Sequence, residues 1–359
     1  MKQAAIYDPY LDTLGGGERY TLSVAVALKA MGFGVDVLWS DKNVLVKSQE
    51  RFQIDLSGIK IKNDFFKGKA LVRKIYSMSK YDLIFFVSDG SVPFLTAKVN
   101  WLHFQVPFVG VGGKSLINTL KFKGIGRVVV NSLFTKQIID KEYGLQTDVL
   151  YPPVDTQLIK PLRKEKIILS VGRFSKLLQV KGHDFLINNF KELVDDGLKG
   201  WTLMLAGGLG GIKQTDLTQL QKSAEGYPIK FTFAPNFSQL KELYGKSTIY
   251  WTASGYGQDE NTHPERVEHF GITLVEAMAA GCLVLPVRKG GFKEILGAKF
   301  LEYGWDSSQE LKARTKELIM RPPALNLVDG SRLRQRALEF SFMKFKINVR
   351  KRVNEDFSK

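Results

Sequence analysis

Short apolar runs bounded by turn residues alternate along the chain with stretches whose apolar residues recur at helical spacing. In the first half, Ala4–Tyr7, Gly34–Leu38, Leu83–Val87, Lys98–Leu102, Arg127–Val130 and Asp148–Leu150 read as strands. Between them Tyr20–Met31 and Thr135–Glu142 read as helices. The second half repeats the rhythm with Lys166–Val171, Trp201–Ala206, Ile229–Phe233, Ile249–Thr252 and Leu283–Val287. Strand–helix–strand alternation predicts parallel sheets covered by helices on both faces. The expected fold is therefore α/β, with two doubly wound Rossmann-like domains and a ligand crevice at the carboxyl ends of both sheets. Pro152-Pro153 stiffens the join at Pro152–Asp155. The domains are expected at residues 1–153 and 154–338, with a terminal helix over 339–359.

Residues 268–294 carry the densest signal, EHFGITLVEAMAAGCLVLPVRKGGFKE. Seven residues separate Glu268 from Glu276, and Gly271 opens a helix between them. A strand and the Gly290-Gly291 turn follow. Glu268 is expected in the loop before the helix and Glu276 one to two turns into it. Free N–H groups around Phe270, Gly271 and Ile272 would face whatever lies ahead of the helix, and a helix N-terminus suits an anion. Carboxylates accept hydrogen bonds from hydroxyl groups. An anion joined to a polyol is what a nucleotide sugar presents.

Other segments extend the picture. Gly15-Gly16-Gly17 comes between a strand and a helix, where glycines permit positive φ and close approach of a ligand; the bland reading is a tight turn. Arg173 and Lys181 follow the first strand of the second half. A guanidinium forks onto phosphate oxygens and an ammonium acts as a point charge, so both could stabilise a diphosphate leaving group. No Asp-x-Asp metal clamp is evident, and no metal or cofactor is expected. The four histidines, 103, 183, 263 and 269, fall in or beside these motifs. Their neighbours suggest separate roles: His183 structural, His269 shaping its loop. Residues 255–266, GYGQDENTHPER, read either as an active-site flap or as an inert surface loop.

This constellation resembles retaining glycosyltransferase family 4, which has the GT-B fold and an E-x7-E element; the likeness is to mannosyltransferase-like bacterial members. The order GGGER at Gly15, WLHF at Trp101, NS at Asn131, YPPVD at Tyr151, VGR at Val171 and KGH at Lys181 extends the likeness over nearly the whole chain. One departure is the apolar Leu177-Leu178 before Gln179. The resemblance implies two domains facing a central cleft, with the terminal helix crossing back to the first. It implies metal-independent transfer of a hexose from a GDP- or UDP-linked sugar donor to a glycan or lipid-linked acceptor. Gly16 and Gly17 would face the donor phosphates and the acceptor, and Arg173 and Lys181 the diphosphate. His103 would lie near the sugar, Glu268 would touch the transferred sugar, and Glu276 the ribose. A front-face mechanism assisted by the leaving phosphate is the usual proposal for such retaining enzymes. A sugar-nucleotide epimerase of the same architecture is the enzymatic alternative.

Bulk properties then narrow the class. The 359 residues, 44% hydrophobic, suit two domains with a core each. A net charge of +16 implies an anionic partner. A nucleic acid is disfavoured because the basic residues are not interleaved with aromatics in a known binding module. Lys60–Lys80 is a basic tract with apolar residues at helical spacing, Phe108–Arg127 is a second with four basic residues and no acid, and an anionic membrane surface is a candidate partner; the alternative is a solvated helix face. The single cysteine, Cys282, excludes an internal disulfide. The N-terminus lacks an apolar signal segment, and runs such as Leu83–Val87 fall far short of the ~20 residues that span a bilayer. The expectation is a cytoplasmic protein, peripheral at the inner face of the membrane.

Overall fold

The computed structural model describes residues 1–68, 70–174 and 179–358; Lys69 and Leu177-Leu178 fall outside them. The chain divides into two compact units, Met1–Pro153 with the segment from Met343 onward, and Val154–Phe342. The expected terminal segment is therefore split. Residues 339–342 stay with the second unit, and the helix beyond them joins the first.

The first unit holds a parallel sheet in the order β3-β2-β1-β4-β5-β6-β7. Its strands are β1 Gln3–Tyr7, β2 Gly34–Leu38, β3 Lys60–Lys62, β4 Leu83–Val87, β5 Val99–Phe104, β6 Arg127–Val130 and β7 Asp148–Val149. The connecting helices are α1 Gly16–Ala30, α2 Val44–Phe52, α3 Leu71–Met78, α4 Leu116–Phe122 and α5 Leu133–Tyr143. β4 is buried along its whole length, as a central strand covered on both faces must be. The predicted basic helix across Lys60–Lys80 is instead a three-residue edge strand, a loop and the short α3. Lys60-Ile61-Lys62 turns its lysines outward at the sheet edge, where charge also discourages further pairing.

The second unit repeats the winding in the order β10-β9-β8-β11-β12. Here β8 is Glu165–Val171, β9 Thr202–Gly207, β10 Ile229–Phe233, β11 Ser247–Thr252 and β12 Leu283–Pro286. The helices are α6 His183–Asp195, α7 Gln214–Ser223, α8 Phe237–Lys246, α9 Ile272–Ala279, α10 Phe292–Phe300, α11 Ser308–Met320 and α12 Pro323–Ala337. In both sheets the strand order steps outward one way and then reverses, between β1 and β4 and between β8 and β11. Doubly wound sheets bind ligands beyond the strand ends at such a reversal.

The last helix, α13 Phe342–Phe357, lays Phe345, Val349 and Val353 at i, i+4 and i+8 into the core on one face of the first sheet. A polar tie fixes its far end. Asp356 accepts from Trp101 Nε1 at 2.8 Å and from two nitrogens of Arg127 at 2.8 and 2.7 Å, and Arg127 also meets Asp148 and Glu355. The Asp356 side chain is 4% exposed, so its removal leaves the Trp101 indole N–H without its acceptor and Arg127 with only its more exposed partners, Asp148 and Glu355. Asp356→Ala is expected to destabilise the first unit by about 3 kcal/mol. Urea unfolding of the whole protein followed by circular dichroism should show a component shifted to lower denaturant. An unchanged profile would mean that α13 is held by its apolar face alone.

Candidate functional site

Beyond the reversal point of the second sheet, glycines bring two strand ends and a lysine together. A β-carbon on Gly207, at the end of β9, would lie 1.8 Å from the Gly172 carbonyl oxygen, so β8 and β9 finish closer than side chains allow. A β-carbon on Gly172 would in turn sit 2.8 Å from Lys181 Cγ. The lysine stem therefore crosses Gly172. Gly182, which caps α6 at φ +69°, backs onto Ala253 after β11, where a β-carbon would come within 2.9 Å of the alanine methyl. Lys181 Nζ consequently donates to Glu268 at 2.7 Å, to Ser254 Oγ at 3.2 Å and to Gln179 Oε1 at 3.3 Å.

Glu268 is held from behind by the Gly290-Gly291 turn. Gly291 N donates to the Glu268 carbonyl at 2.8 Å. A β-carbon on Gly290 would come within 2.1 Å of that carbonyl oxygen, and one on Gly291 within 2.5 Å of Phe270 Cα. The turn is in turn fastened to the long polar loop before it: Glu260 accepts from Gly290 N at 2.7 Å and pairs with Lys293 at 2.6 Å. Residues 255–266 are thus tied to the glutamate's own support. Burial acts to raise the Glu268 pKa, but the charge and hydrogen bond of Lys181, with help from His269 and Ser254, outweigh it and hold the carboxyl below its ordinary range.

Gly271 starts α9 at φ +115°, and a β-carbon there would strike Phe292 at 2.6 Å. Only glycine fits on both counts. Ile272 is the first residue of the helix and is half-buried. Glu276 is buried on α9 and accepts from the Tyr244 hydroxyl of α8 at 2.9 Å. Burial first, and the Glu276 charge second, push the Tyr244 pKa far up, so the phenol stays a donor. The Phe270 ring is buried against Phe340, at 5.4 Å between centroids. Arg173 stands exposed just past β8, its stem near Gly210, and is not part of the Lys181–Glu268 cluster.

In the first unit the structure adds detail to two expectations. His103 is the penultimate residue of β5 and is 0% exposed, with its ring stacked on Tyr20 at 4.3 Å and its Nδ1–H donating to Val129 O at 3.1 Å. Burial pushes its pKa down to about 3, and its buried Nε2 has no hydrogen-bond partner among the described residues. The glycine run also works otherwise than expected. Gly15 caps α1, and Gly16 and Gly17 form its first turn, none of the three at positive φ. A β-carbon on Gly17 would meet the Gln105 amide at 2.3 Å, so that flexible side chain would have to move. Glu18 already accepts from Gly15 N at 2.5 Å. Near it Asp8 accepts from Thr21 at 2.7 Å and from Tyr10 N at 2.9 Å, and its carboxyl is pushed up to about 7, by burial first and by Glu18 second.

His183 is structural as expected. It is stacked on Phe174 at 4.6 Å and pushed down to about 4, by burial and then by Lys181. Ser254 and Tyr244 are site members that the sequence reading missed. Ser254 could have been found as the second residue after a central strand, whereas nothing in the spacing marks Tyr244 as the partner of Glu276. Among the described residues no three His, Cys, Asp or Glu side chains converge as a metal-binding group.

Residues 156–324 match the family Glycosyl transferases group 1. The matched span lies within the second unit and includes Arg173, Lys181, Glu268 and Glu276. A Xenopus tropicalis protein named GDP-Man:Man(3)GlcNAc(2)-PP-Dol alpha-1,2-mannosyltransferase is 27% identical over 240 residues, covering 62% of this chain and 46% of that one. The chain thus spans under half the length of that mannosyltransferase. An uncharacterized glycosyltransferase of Haemophilus influenzae is 24% identical over 359 residues, 93% of this chain and 95% of its own. Among solved structures, Anabaena HepE in complex with UDP and glucose superposes with a TM-score of 0.70 at 17% identity, over 99% of this chain and all of the other. The fold is that of the GT-B glycosyltransferases, two Rossmann-like units on parallel sheets.

The Lys181–Glu268 pair has a pH signature. A carboxyl held below its ordinary value of 4.5 contributes stability above that value and loses it as pH falls through the depressed folded pKa. Glu268→Gln should therefore melt below the wild type at neutral pH, and the gap should close only under acid conditions beneath the ordinary carboxylate range. Paired thermal melts from neutral to acid pH measure it; a gap that does not change with pH would contradict the charge pairing.

Proposed function

We propose that the protein is a retaining glycosyltransferase that moves a hexose from a nucleotide diphosphate sugar to a glycan or lipid-linked acceptor without a metal ion. The observation that carries this reading is the Lys181–Ser254–Glu268 cluster beyond the reversal point of the second sheet, within the segment that matches group 1 glycosyl transferases. An ammonium fixed by glycines next to a carboxylate offers one group for a diphosphate and one for sugar hydroxyls. As the bond from the sugar C1 to the diphosphate oxygen breaks, the leaving group takes the electron pair, and Lys181 and Arg173 stabilise the charge that develops. The acceptor hydroxyl bonds to C1 on the same face, and its proton passes to the leaving phosphate. Fixed cations aimed at developing charge lower the barrier because they need no reorganisation at the moment of reaction. The mannosyltransferase relative puts GDP-mannose first among donors, and the UDP complex of the structural neighbour makes UDP-glucose the second to test.

Transfer from GDP- and UDP-sugars should fall on the order of 10²-fold or more in Arg173→Ala and in Lys181→Ala. Wild-type turnover should persist in EDTA. Near-normal kcat/KM in both variants would overturn the assignment, and loss of turnover in EDTA restored by Mg²⁺ would overturn its metal independence.

The two glutamates should separate in binding. Glu276, on α9 and turned to Tyr244, is assigned to the ribose, and Glu268 to the hexose. Calorimetry with free GDP and UDP should show weakened affinity for Glu276→Ala, while Glu268→Ala loses mainly the sugar's contribution to donor binding. Equal losses of free-nucleotide affinity would remove this division.

A further inference from the structure

The helices over one face of the first sheet turn apolar side chains outward as well as inward. On the inner side, Phe65 and Met78 from the α3 segment share one buried cluster with Leu102, Phe104 and Val130, and Phe108 and Phe122 from the α4 segment pack against it. On the outer side, α4 leaves Leu116 84%, Ile117 66% and Leu120 64% exposed. These three, at i, i+1 and i+4, form one stripe. Val109 and Val111 lead into it, also exposed. α3 does the same with Leu71, Val72 and Tyr76.

The loop carrying the α4 stripe is built to hold that shape. Glu142 of α5 accepts from the backbone N–H groups of Gly110 at 3.1 Å, Val111 at 3.0 Å and Gly113 at 3.3 Å. One carboxylate is thereby spent on the loop's own amides, and the valines between them point away from the core. The cations divide in the same way. Lys74 donates to Phe66 O at 2.5 Å, Lys121 to Val92 O at 2.8 Å, and Arg127 is tied to Asp356, so these serve the fold. Arg73, Lys114 and Lys123 are exposed around the apolar stripes. Residues 108–127 contain no acid, and the one acid of residues 60–80, Asp64, caps the backbone N–H of Phe66.

Exposed aliphatic stripes ringed by cations complement one surface above others, a bilayer with anionic headgroups. Apolar side chains enter the interface and each cation near the surface adds to the attraction. No helix of the described residues is long and apolar enough to span a bilayer, so such contact would be peripheral. We propose that this face of the first unit docks on anionic membranes, with α4 as the main apolar contact, α3 as the second, and Arg73, Lys114 and Lys123 against the headgroups. The docking surface lies wholly in the first unit and stands independently of the reaction proposed for the second.

The test is co-sedimentation of the whole protein with vesicles of phosphatidylcholine alone or mixed with phosphatidylglycerol, at low and high salt. Binding is expected to the mixed vesicles and to weaken with salt. Lys114→Gln with Lys123→Gln should lower partitioning by roughly 25-fold, about five-fold per cation. Leu116→Ser, Ile117→Ser and Leu120→Ser together should lower it at least about ten-fold. All three replaced side chains are exposed, so melting temperature and nucleotide binding should stay at wild-type values and show that the variant is folded. No wild-type binding to mixed vesicles at low salt, or equal binding to neutral and anionic vesicles, would overturn the proposal. So would concentration-dependent self-association that the serine variant abolishes while vesicles are ignored, which would make the stripe an interface between copies.

Discussion

Two backbones touching at Gly290-Gly291 set the geometry of the second unit's site. A β-carbon at either glycine would collide with the carbonyls and Cα of Glu268–Phe270. With the β-carbons gone, the turn donates to the Glu268 carbonyl and presses the loop forward. That fixes where α9 starts and hence where Glu268 and Glu276 project. The lysine side of the cluster obeys the same rule through Gly172, Gly182 and Gly207. Close packing without side chains is more rigid than side-chain packing, because no rotamer can adjust, and rigidity is what electrostatic preorganisation needs.

The charge balance of the cluster follows from that rigidity. A half-buried carboxylate beside a half-buried ammonium is a costly arrangement when either partner is missing, since the survivor is stranded away from water. Lys181 holds the Glu268 carboxyl below its ordinary pKa, and Ser254 bridges the two. A diphosphate arriving at Lys181 would meet a charge already desolvated and aimed, and hydroxyls arriving at Glu268 would meet a carboxylate that remains an acceptor throughout the neutral range.

What could be read from the sequence tracks the range of the forces involved. Strands such as Gly34–Leu38 and Leu83–Val87 were legible to the residue, since a buried parallel strand is a local, mainly apolar run, and so was the edge strand Ile229–Phe233, whose apolar and polar residues alternate. β3 was not, because three residues at a sheet edge carry too little pattern, and the lysines around it read as a helix face. α1 begins four residues earlier than read, at Gly16 rather than Tyr20, because glycine is a poor helix former and two glycines in a first turn do not read as helix. Glu268 and Glu276 were visible as a spacing. Their partners Lys181 and Tyr244 lie 87 and 32 positions away, and pairing over such distances is decided by tertiary packing. The stacking of the His103 ring between Tyr20 and Phe85 was equally invisible, because the three residues lie on separate elements that only the tertiary fold brings together.

The two sheets share a winding direction and a reversal point, yet their charged groups there differ. In the second unit an ammonium leads, with Arg173 exposed beside the same strand end. In the first, the reversal point carries Asp8 and Glu18, both buried, with Arg19 next in the chain, and burial and then Glu18 push the Asp8 pKa up. Glu18 has also taken up the Gly15 amide at the start of α1, so the site where a helix would attract an outside anion is already served by the chain's own carboxylate. A diphosphate entering the first unit would meet two buried acids and a helix start whose Gly15 amide is already taken, with Arg19 beside it. Entering the second, it would meet Arg173, Lys181 and the start of α9. A shared winding thus leaves phosphate binding to a few side chains at the strand ends, and it is there that the two units differ.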